Sequence, residues 1–239
     1  MLRVPLLKKV NLTKKNDIKT VLVIGASRGI GLEFVRQYGE AGVRVMATAR
    51  DDAGLAQIEA LGAIALRADV VDPASIHGLA SQLVGEKIDL ALYVAGVFSQ
   101  GDARTPPTRE AFDHTLHTNV LGAMQAIPQI APLVAAADGC FAFITSEMAC
   151  IGKVSSSHAW IYRVSKAALN MAVAAAQHDY PGAVLVALSP GWVQTDMGGA
   201  GAPLTVHDSV ADLRKTLAVL GPQHKGAFLD HDGSRFASW

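Results

Sequence analysis

The stretch Thr20-Val21-Leu22-Val23-Ile24-Gly25-Ala26-Ser27-Arg28-Gly29-Ile30-Gly31 decides how the rest of the chain is read. Its first five residues form a short β-rich run that fits a strand buried on both faces, and its end opens a stretch of helical period. Between them glycines fall at 25, 29 and 31. A strand that turns this tightly into a helix needs permissive backbone angles. Bare backbone and the free N–H groups of the first helical turn together offer an anion site, one that suits a pyrophosphate. Three glycines in seven residues could by themselves make only a turn, but a strand before and a helix after supply the context a dinucleotide loop requires.

Outward from this unit the same alternation continues. Strands are expected at 20–24, 43–48, 63–67, 90–94, 141–145, 184–188 and 227–229, with helices at 30–40, 53–61, 74–84, 109–133, 161–178 and 206–220. That order predicts an α/β domain, a doubly wound seven-stranded parallel sheet with helices on both faces and right-handed crossovers. Pro128 and Pro132 should bend or end the fourth helix, because each removes a donor and crowds the preceding turn. Thr205 with Asp208 three residues later resembles a capping box. The longest loops, 97–107, 147–158 and 191–203, all follow strand C-termini, the edge where open α/β sheets bind ligands.

Composition narrows the function classes. With 239 residues, 50% of them hydrophobic, the chain can bury one sizeable core. Lys plus Arg and Asp plus Glu both number 21, so charge does not point to nucleic acid, and a small buried ligand fits better. Cys140 and Cys150 lack metal-ligand spacing and read as reduced, structural thiols; no metal is expected. No apolar run reaches the ~18 residues of a membrane span, and a cytoplasmic location is expected. Residues 1–19 carry Arg3, Lys8, Lys9, Lys14, Lys15 and Lys19 against Asp17, without a signal-peptide core. They read as a basic, poorly ordered leader before a domain spanning 20–239; a targeting peptide and an upstream start are the other readings.

A second motif carries chemistry. In Ile161-Tyr162-Arg163-Val164-Ser165-Lys166-Ala167-Ala168-Leu169-Asn170, Tyr162 and Lys166 stand four apart on one helix face. Reducing a carbonyl requires a proton at oxygen, and a phenol of pKa ~10 yields one reluctantly near neutrality. An ammonium about 4 Å away contributes ~4 kcal/mol at an effective dielectric of ~20, roughly three pKa units before desolvation. Upstream, the strand at 141–145 ends at Ser146, whose hydroxyl can polarise the same oxygen. Ser155, Ser156 and Ser157 compete for that role, but of these only Ser146 ends a strand.

Taken together, the Gly-x-x-x-Gly-x-Gly spacing, Tyr162-x-x-x-Lys166, Ser146, Asn119 in His117-Thr118-Asn119-Val120, and Pro190-Gly191-Trp192-Val193-Gln194-Thr195 resemble the short-chain dehydrogenase/reductase superfamily. The resemblance runs from Thr20 to Trp239. Thr145-Ser146-Glu147-Met148 and Asp196-Met197-Gly198-Gly199 are similar to its C-factor-like and carbonyl-reductase branch. It implies a single-domain Rossmann fold and an NADP(H)-dependent oxidoreductase interconverting carbonyls and alcohols, with Tyr162 as general acid/base and Ser146, Lys166 and Asn119 beside it. The implied cofactor contacts are Gly25, Ser27, Arg28, Gly29, Ile30 and Gly31 at the pyrophosphate and adenosine, with Asp69 and Val70 at the adenine. Further along the cofactor come Ala95 and Gly96, then Tyr162 and Lys166, and finally Pro190, Gly191, Val193 and Thr195 at the carboxamide. Asn119 is implied to hold a water linking Lys166 to solvent. Asp69 reads equally well as a loop carboxylate ahead of a helix cap at Asp72.

Where NAD users of the superfamily carry a carboxylate on the second strand, this chain has Ala49 followed by Arg50. Arg50 and Arg28 would meet a 2′-phosphate, and two charged hydrogen bonds of about 1.5–3 kcal/mol each favour NADP(H) over NAD(H) by a hundredfold or more. Asp51 and Asp52 lie near enough to weaken this. One departure is plain: Tyr93-Val94-Ala95-Gly96 stands where the superfamily usually has Asn-Asn-Ala-Gly, which bears on stability or cofactor grip more than on catalysis.

Val97, Phe98, Met148, Ile151, Trp160, Trp192 and Met197 on the three long loops favour a small apolar carbonyl or alcohol, with His158 and Trp160 as a lid wall. The stripe Ala167, Ala168, Met171, Ala172 and Ala175 fits a homodimer contact or internal core, so a monomer stays open. Two rival functions are a C-factor-type nucleotide sensor with little turnover and an epimerase or dehydratase. The second would need more chain after the last helix than the roughly twenty residues here.

Overall fold

A computed structural model describes residues 17–239, so the leader read at 1–19 falls almost wholly outside the described residues. Seven parallel strands form one sheet: β1 (Thr20–Ile24), β2 (Arg44–Ala49), β3 (Ile64–Arg67), β4 (Leu90–Tyr93), β5 (Cys140–Ile144), β6 (Val184–Leu188) and β7 (Phe228–Leu229), in the order β3-β2-β1-β4-β5-β6-β7. The helices are α1 (Gly29–Glu40), α2 (Asp52–Ala60), α3 (Pro73–Gln82), α4 (Arg109–Leu116), α5 (Gly122–Ala135), α6 (Trp160–Ala176) and α7 (Val206–Leu217).

Alternation along β1 divides the core. Val21 and Val23 pack with Phe34 and Val35 of α1 and Val210 and Leu213 of α7, whereas Leu22 and Ile24 pack with α3, α5 and α6 on the opposite face. Each such side chain contributes about 1.5–3 kcal/mol when fully buried, so neither face of the strand tolerates a polar residue. The small-residue stripe of α6 is not core: Met171 is 69% exposed, and Ala167, Ala168 and Ala172 are half-buried.

Asp51, Asp72, Thr108 and Thr205 cap α2, α3, α4 and α7 by accepting N–H bonds from the first turn, and the Thr205–Asp208 capping pair forms as expected. α1 differs. Its N-cap is Arg28, with no side-chain cap and no acid in the first turn, which leaves free N–H groups at the C-terminal edge of the sheet. The strand order reverses at β1 and β4, and the crevice above those two strand ends is where α1 begins.

The prolines correct one expectation. α5 contains both Pro128 and Pro132 and runs on to Ala135. Met124, Pro128 and Pro132 form an exposed i, i+4, i+8 stripe, so the carbonyls that lose donors lie on the solvent side, where water can satisfy them. The irregularity falls upstream instead, in a π-helical turn at His117–Leu121 that joins α4 to α5 and contains Asn119.

Candidate active site

The loop after β1 is closed by backbone contacts that only glycine permits. Gly25 has φ +89°, and a Cβ there would lie 2.6 Å from the Ala95 nitrogen; a Cβ on Gly31 would lie 2.1 Å from the Gly25 oxygen. The loops after β1 and β4 therefore meet backbone to backbone, and α1 starts directly against its own strand. Gly29 has φ +54° and faces Thr195, whose methyl would stand 3.6 Å from an added Cβ. The result is a bare-backbone cradle at an uncapped helix N-terminus, and its donor set fits a dinucleotide pyrophosphate. Thr195 itself closes the turn after β6, accepting the Gly198 N–H at 3.0 Å, while Ser209 holds the Pro190 carbonyl at 2.7 Å.

Two loops away, α6 begins at Trp160 and places Tyr162 and Lys166 on its inner face, 6% and 4% exposed. Ser146 sits just past the end of β5. Its Oγ accepts the Met148 N–H at 3.1 Å, which leaves its proton available to donate. Burial pushes the Tyr162 phenol up to about 12, while hydrogen bonding with Ser146 pulls it down. Lys166 is pulled down to about 8, also by burial. Its ammonium lies 5.7 Å from the Tyr162 ring centroid and donates to the Ile144 carbonyl at 3.0 Å. This corrects the sequence-based expectation that Lys166 brings the phenol toward neutrality. In a site this dry, desolvation acts on both groups and favours the neutral form of each. The arrangement can hold a phenolic proton at neutral pH and direct it at an oxygen that Ser146 also contacts.

Asn119 is fully buried and fully engaged: its amide donates to the Val97 carbonyl and to Ser165 Oγ, both at 2.9 Å, and its Oδ1 accepts the Val97 N–H at 2.8 Å. Ser165 in turn donates to the Tyr162 carbonyl at 2.7 Å. Asn119 thus couples the π-helical turn, the loop after β4 and the first turn of α6. Gly96 lies between the groups. A Cβ there would be 3.2 Å from Asn119 Oδ1 and 3.3 Å from Lys166 Nζ. Tyr93 reaches this turn from below. Its hydroxyl, fully buried, donates to the Thr118 carbonyl at 3.2 Å, and Gly122 is what admits it, since a Cβ at 122 would stand 2.6 Å from both the Tyr93 hydroxyl and the Val70 carbonyl.

The profile of a family described as short chain dehydrogenase matches residues 19–202. The chain belongs to that family. Over 232 residues it is 31% identical to 1-hydroxy-2-glutathionyl-2-methyl-3-butene dehydrogenase of Rhodococcus sp. (strain AD45), covering 93% of this chain and 100% of that one. It is 35% identical over 162 residues to C-signal of Myxococcus xanthus, covering 66% and 98%. Among solved structures, a short-chain dehydrogenase/reductase from Burkholderia multivorans with bound NADP superposes with a TM-score of 0.83 at 28% identity, covering 93% and 100%.

At the end of β2 in this short-chain dehydrogenase, Ala49 is buried and Gly54 of α2 lets Ser27 and Ala49 close together, a Cβ at 54 lying 2.8 and 2.7 Å from theirs. Asp51 turns to the Gly54 N–H at 2.8 Å, with Arg50 Nε 3.9 Å away, and Asp52 is taken by Arg67, which also donates to the Arg50 carbonyl at 3.0 Å. Neither aspartate is hydrogen-bonded to Arg50. Arg28 is paired with Asp196 at 2.7 Å, both exposed, so the glycine loop is joined to the loop after β6. Asp69 makes an Asx turn to the Val71 N–H at 3.1 Å, and Val70 is buried beside it.

Most of the expected residues gather on this one edge. Four more residues, assigned no role from sequence, make contacts here: Ser165, Gly54, Asp196, named only within a motif, and Tyr93, noted only as a departure. Gly122, an isolated glycine in an otherwise apolar helix, was the available signal for the close approach at Tyr93. Of the apolar lining, Phe98 stacks at a tilt on Tyr162, ring centroids 4.9 Å apart, while Trp192 is 60% exposed with its indole N–H held by the Gly198 carbonyl.

Proposed function

We propose that this protein is an NADP(H)-dependent oxidoreductase that reduces small aldehydes, ketones or quinones to alcohols, or runs the reverse, with Tyr162 as general acid/base. One observation carries the proposal: a buried phenol, kept protonated, stands with Ser146 and Lys166 on the same sheet edge as an uncapped, glycine-lined helix N-terminus. The Burkholderia relative holds NADP, and the Rhodococcus relative is a dehydrogenase by name, which supports both halves of the assignment.

When bound, the nicotinamide supplies or accepts the hydride. The chain's own residues do the rest. Gly25, Ser27, Arg28, Gly29, Ile30 and Gly31 bind the pyrophosphate and adenosine side through backbone N–H groups and the start of α1. Asp69 and Val70 flank the adenine, Arg50 meets the 2′-phosphate, and Ala95 and Gly96 hold the middle of the cofactor. Pro190, Gly191, Val193 and Thr195 hold the carboxamide. Ser146 donates to the substrate oxygen, and Tyr162 delivers its proton there as charge develops. The Lys166 ammonium offsets the negative charge left on the Tyr162 oxygen, and Asn119 fixes the elements on which both stand. We place the protein in the cytoplasm, where the buried free thiols of Cys140 and Cys150 stay reduced.

NADPH consumption with a panel of aldehydes, ketones and quinones tests this directly. Tyr162→Phe should lose at least about a hundredfold in kcat, the scale of general acid catalysis. Turnover unaffected by that change refutes the mechanism. The C-signal likeness raises a nucleotide-sensing role, which requires the cradle but has no use for Ser146, Tyr162 and Lys166 together.

A further inference from the structure

A cavity of about 320 Å³ opens beside the Tyr162 site, within the usual volume range of small-molecule pockets. Its walls are the loops after β4 and β5, tied to each other where the Trp160 N–H meets the Gly101 carbonyl at 3.4 Å. Phe98 forms the link to the reacting centre, its ring 4.9 Å from that of Tyr162 and 6.3 Å from that of His158 on the cavity rim.

The lining is polar: Gln100, Asp102, Arg104, Ser156, Ser157 and His158. Its one carboxylate is already engaged. Asp102 spends both oxygens on Arg104, accepting from the backbone N–H at 2.9 Å, from Nε at 3.1 Å and from Nη2 at 2.8 Å. Arg104 Nη1 keeps no partner among the described residues, and neither do the side chains of Gln100, Ser156 and Ser157. The hydroxyls of Ser156 and Ser157 and the Gln100 amide can each turn a donor to a ligand, and Arg104, the lining's one cation, keeps Nη1 for an anionic oxygen while its carboxylate neighbour is already engaged.

We infer that the physiological substrate carries a carboxylate arm, seated in this cavity by Arg104 with Gln100, Ser156 and Ser157, while its carbonyl or alcohol carbon lies across Phe98 at Tyr162. This rests on the oxidoreductase assignment above and adds the substrate class to it. Arg104 selects among substrates and has no part in the proton transfer. Its side chain is 89% exposed, so replacing it leaves the core intact.

The test uses matched pairs. Benzaldehyde and 4-carboxybenzaldehyde are compared by NADPH-dependent kcat/KM in the wild type, in Arg104→Ala and in Ser156→Ala/Ser157→Ala. The carboxylated aldehyde should be favoured by about tenfold or more, the factor one charge-assisted hydrogen bond supplies. The preference should lie in KM and collapse in Arg104→Ala. Equal kcat/KM in the wild type, or a preference that survives Arg104→Ala, overturns the inference. In parallel, calorimetry with 4-carboxybenzyl alcohol and benzyl alcohol reads the cavity without turnover. Tenfold tighter binding of the carboxylated alcohol, lost in Arg104→Ala, upholds the cavity even if no aldehyde is reduced, in which case only the reductase assignment fails.

Discussion

Replacing Arg50 by Asp should reverse the cofactor preference. The 2′-phosphate is the sole difference between NADPH and NADH, and two arginines stand near where it would lie. Arg50 is 73% exposed in its side chain and its Nε is 3.9 Å from Asp51, an ion pair without a hydrogen bond, so it gives up little to meet a phosphate. A charged hydrogen bond then contributes about 1.5–3 kcal/mol, about 10- to 150-fold in affinity. Arg28 must first leave Asp196, and an exposed pair of that kind is worth about 0–1 kcal/mol, so Arg28 adds less. Together they should favour NADPH by about a hundredfold. Arg50→Asp removes the larger contribution, repels the phosphate and offers a carboxylate to the 2′-hydroxyl of NADH. Fluorescence titration of both cofactors at two ionic strengths reads the outcome. The NADPH preference should shrink with salt, and the order should invert in Arg50→Asp. Equal wild-type affinities, or a ratio untouched by the mutation, would refute the assignment of these arginines.

The pH profile of carbonyl reduction follows from the same site. Lys166 is held at about 8, below its usual value, so it is charged below that pH and neutral above it. Tyr162, at about 12, stays protonated throughout. The reductive rate should be level below pH 8 and fall as pH rises through it, and Lys166→Arg should move that fall upward; a profile flat to pH 10 contradicts this. Tyr93→Phe deletes the buried hydrogen bond that its hydroxyl donates to the Thr118 carbonyl, at a cost of about 0.5–1.5 kcal/mol. The urea midpoint should drop, and kcat with it, because the π-helical turn carrying Asn119 loses its tether. An unchanged midpoint means the contact is idle.

Strand positions were readable from the chain because each strand in this sheet is a short apolar run bounded by turn residues, and burial on both faces demands no more than that. All the strand ends expected from sequence agree with the structure to within one residue. The glycine loop and the Tyr162–Lys166 pair were readable for a similar reason. Backbone permissiveness and an i, i+4 face are local properties. Partners distant in sequence were not readable. The Arg28–Asp196 pair joins residues 168 apart, and the Asn119 clamp depends on Val97 and Ser165 arriving from two other elements. The break between α4 and α5 was misplaced because proline propensity is visible in sequence, whereas exposure of the Met124–Pro128–Pro132 stripe and the fit of Tyr93 against Gly122 are not.

By itself, then, the sequence determined the sheet, the glycine turn after β1 and the placing of Tyr162 and Lys166 on one helix face, all of which follow from residue type and spacing over a few turns. Tertiary structure decided the protonation states of Tyr162 and Lys166, because desolvation depends on what surrounds a group. It decided the cavity too, because Gln100, Asp102 and Arg104 meet Ser156, Ser157 and His158 only when the loops after β4 and β5 come together.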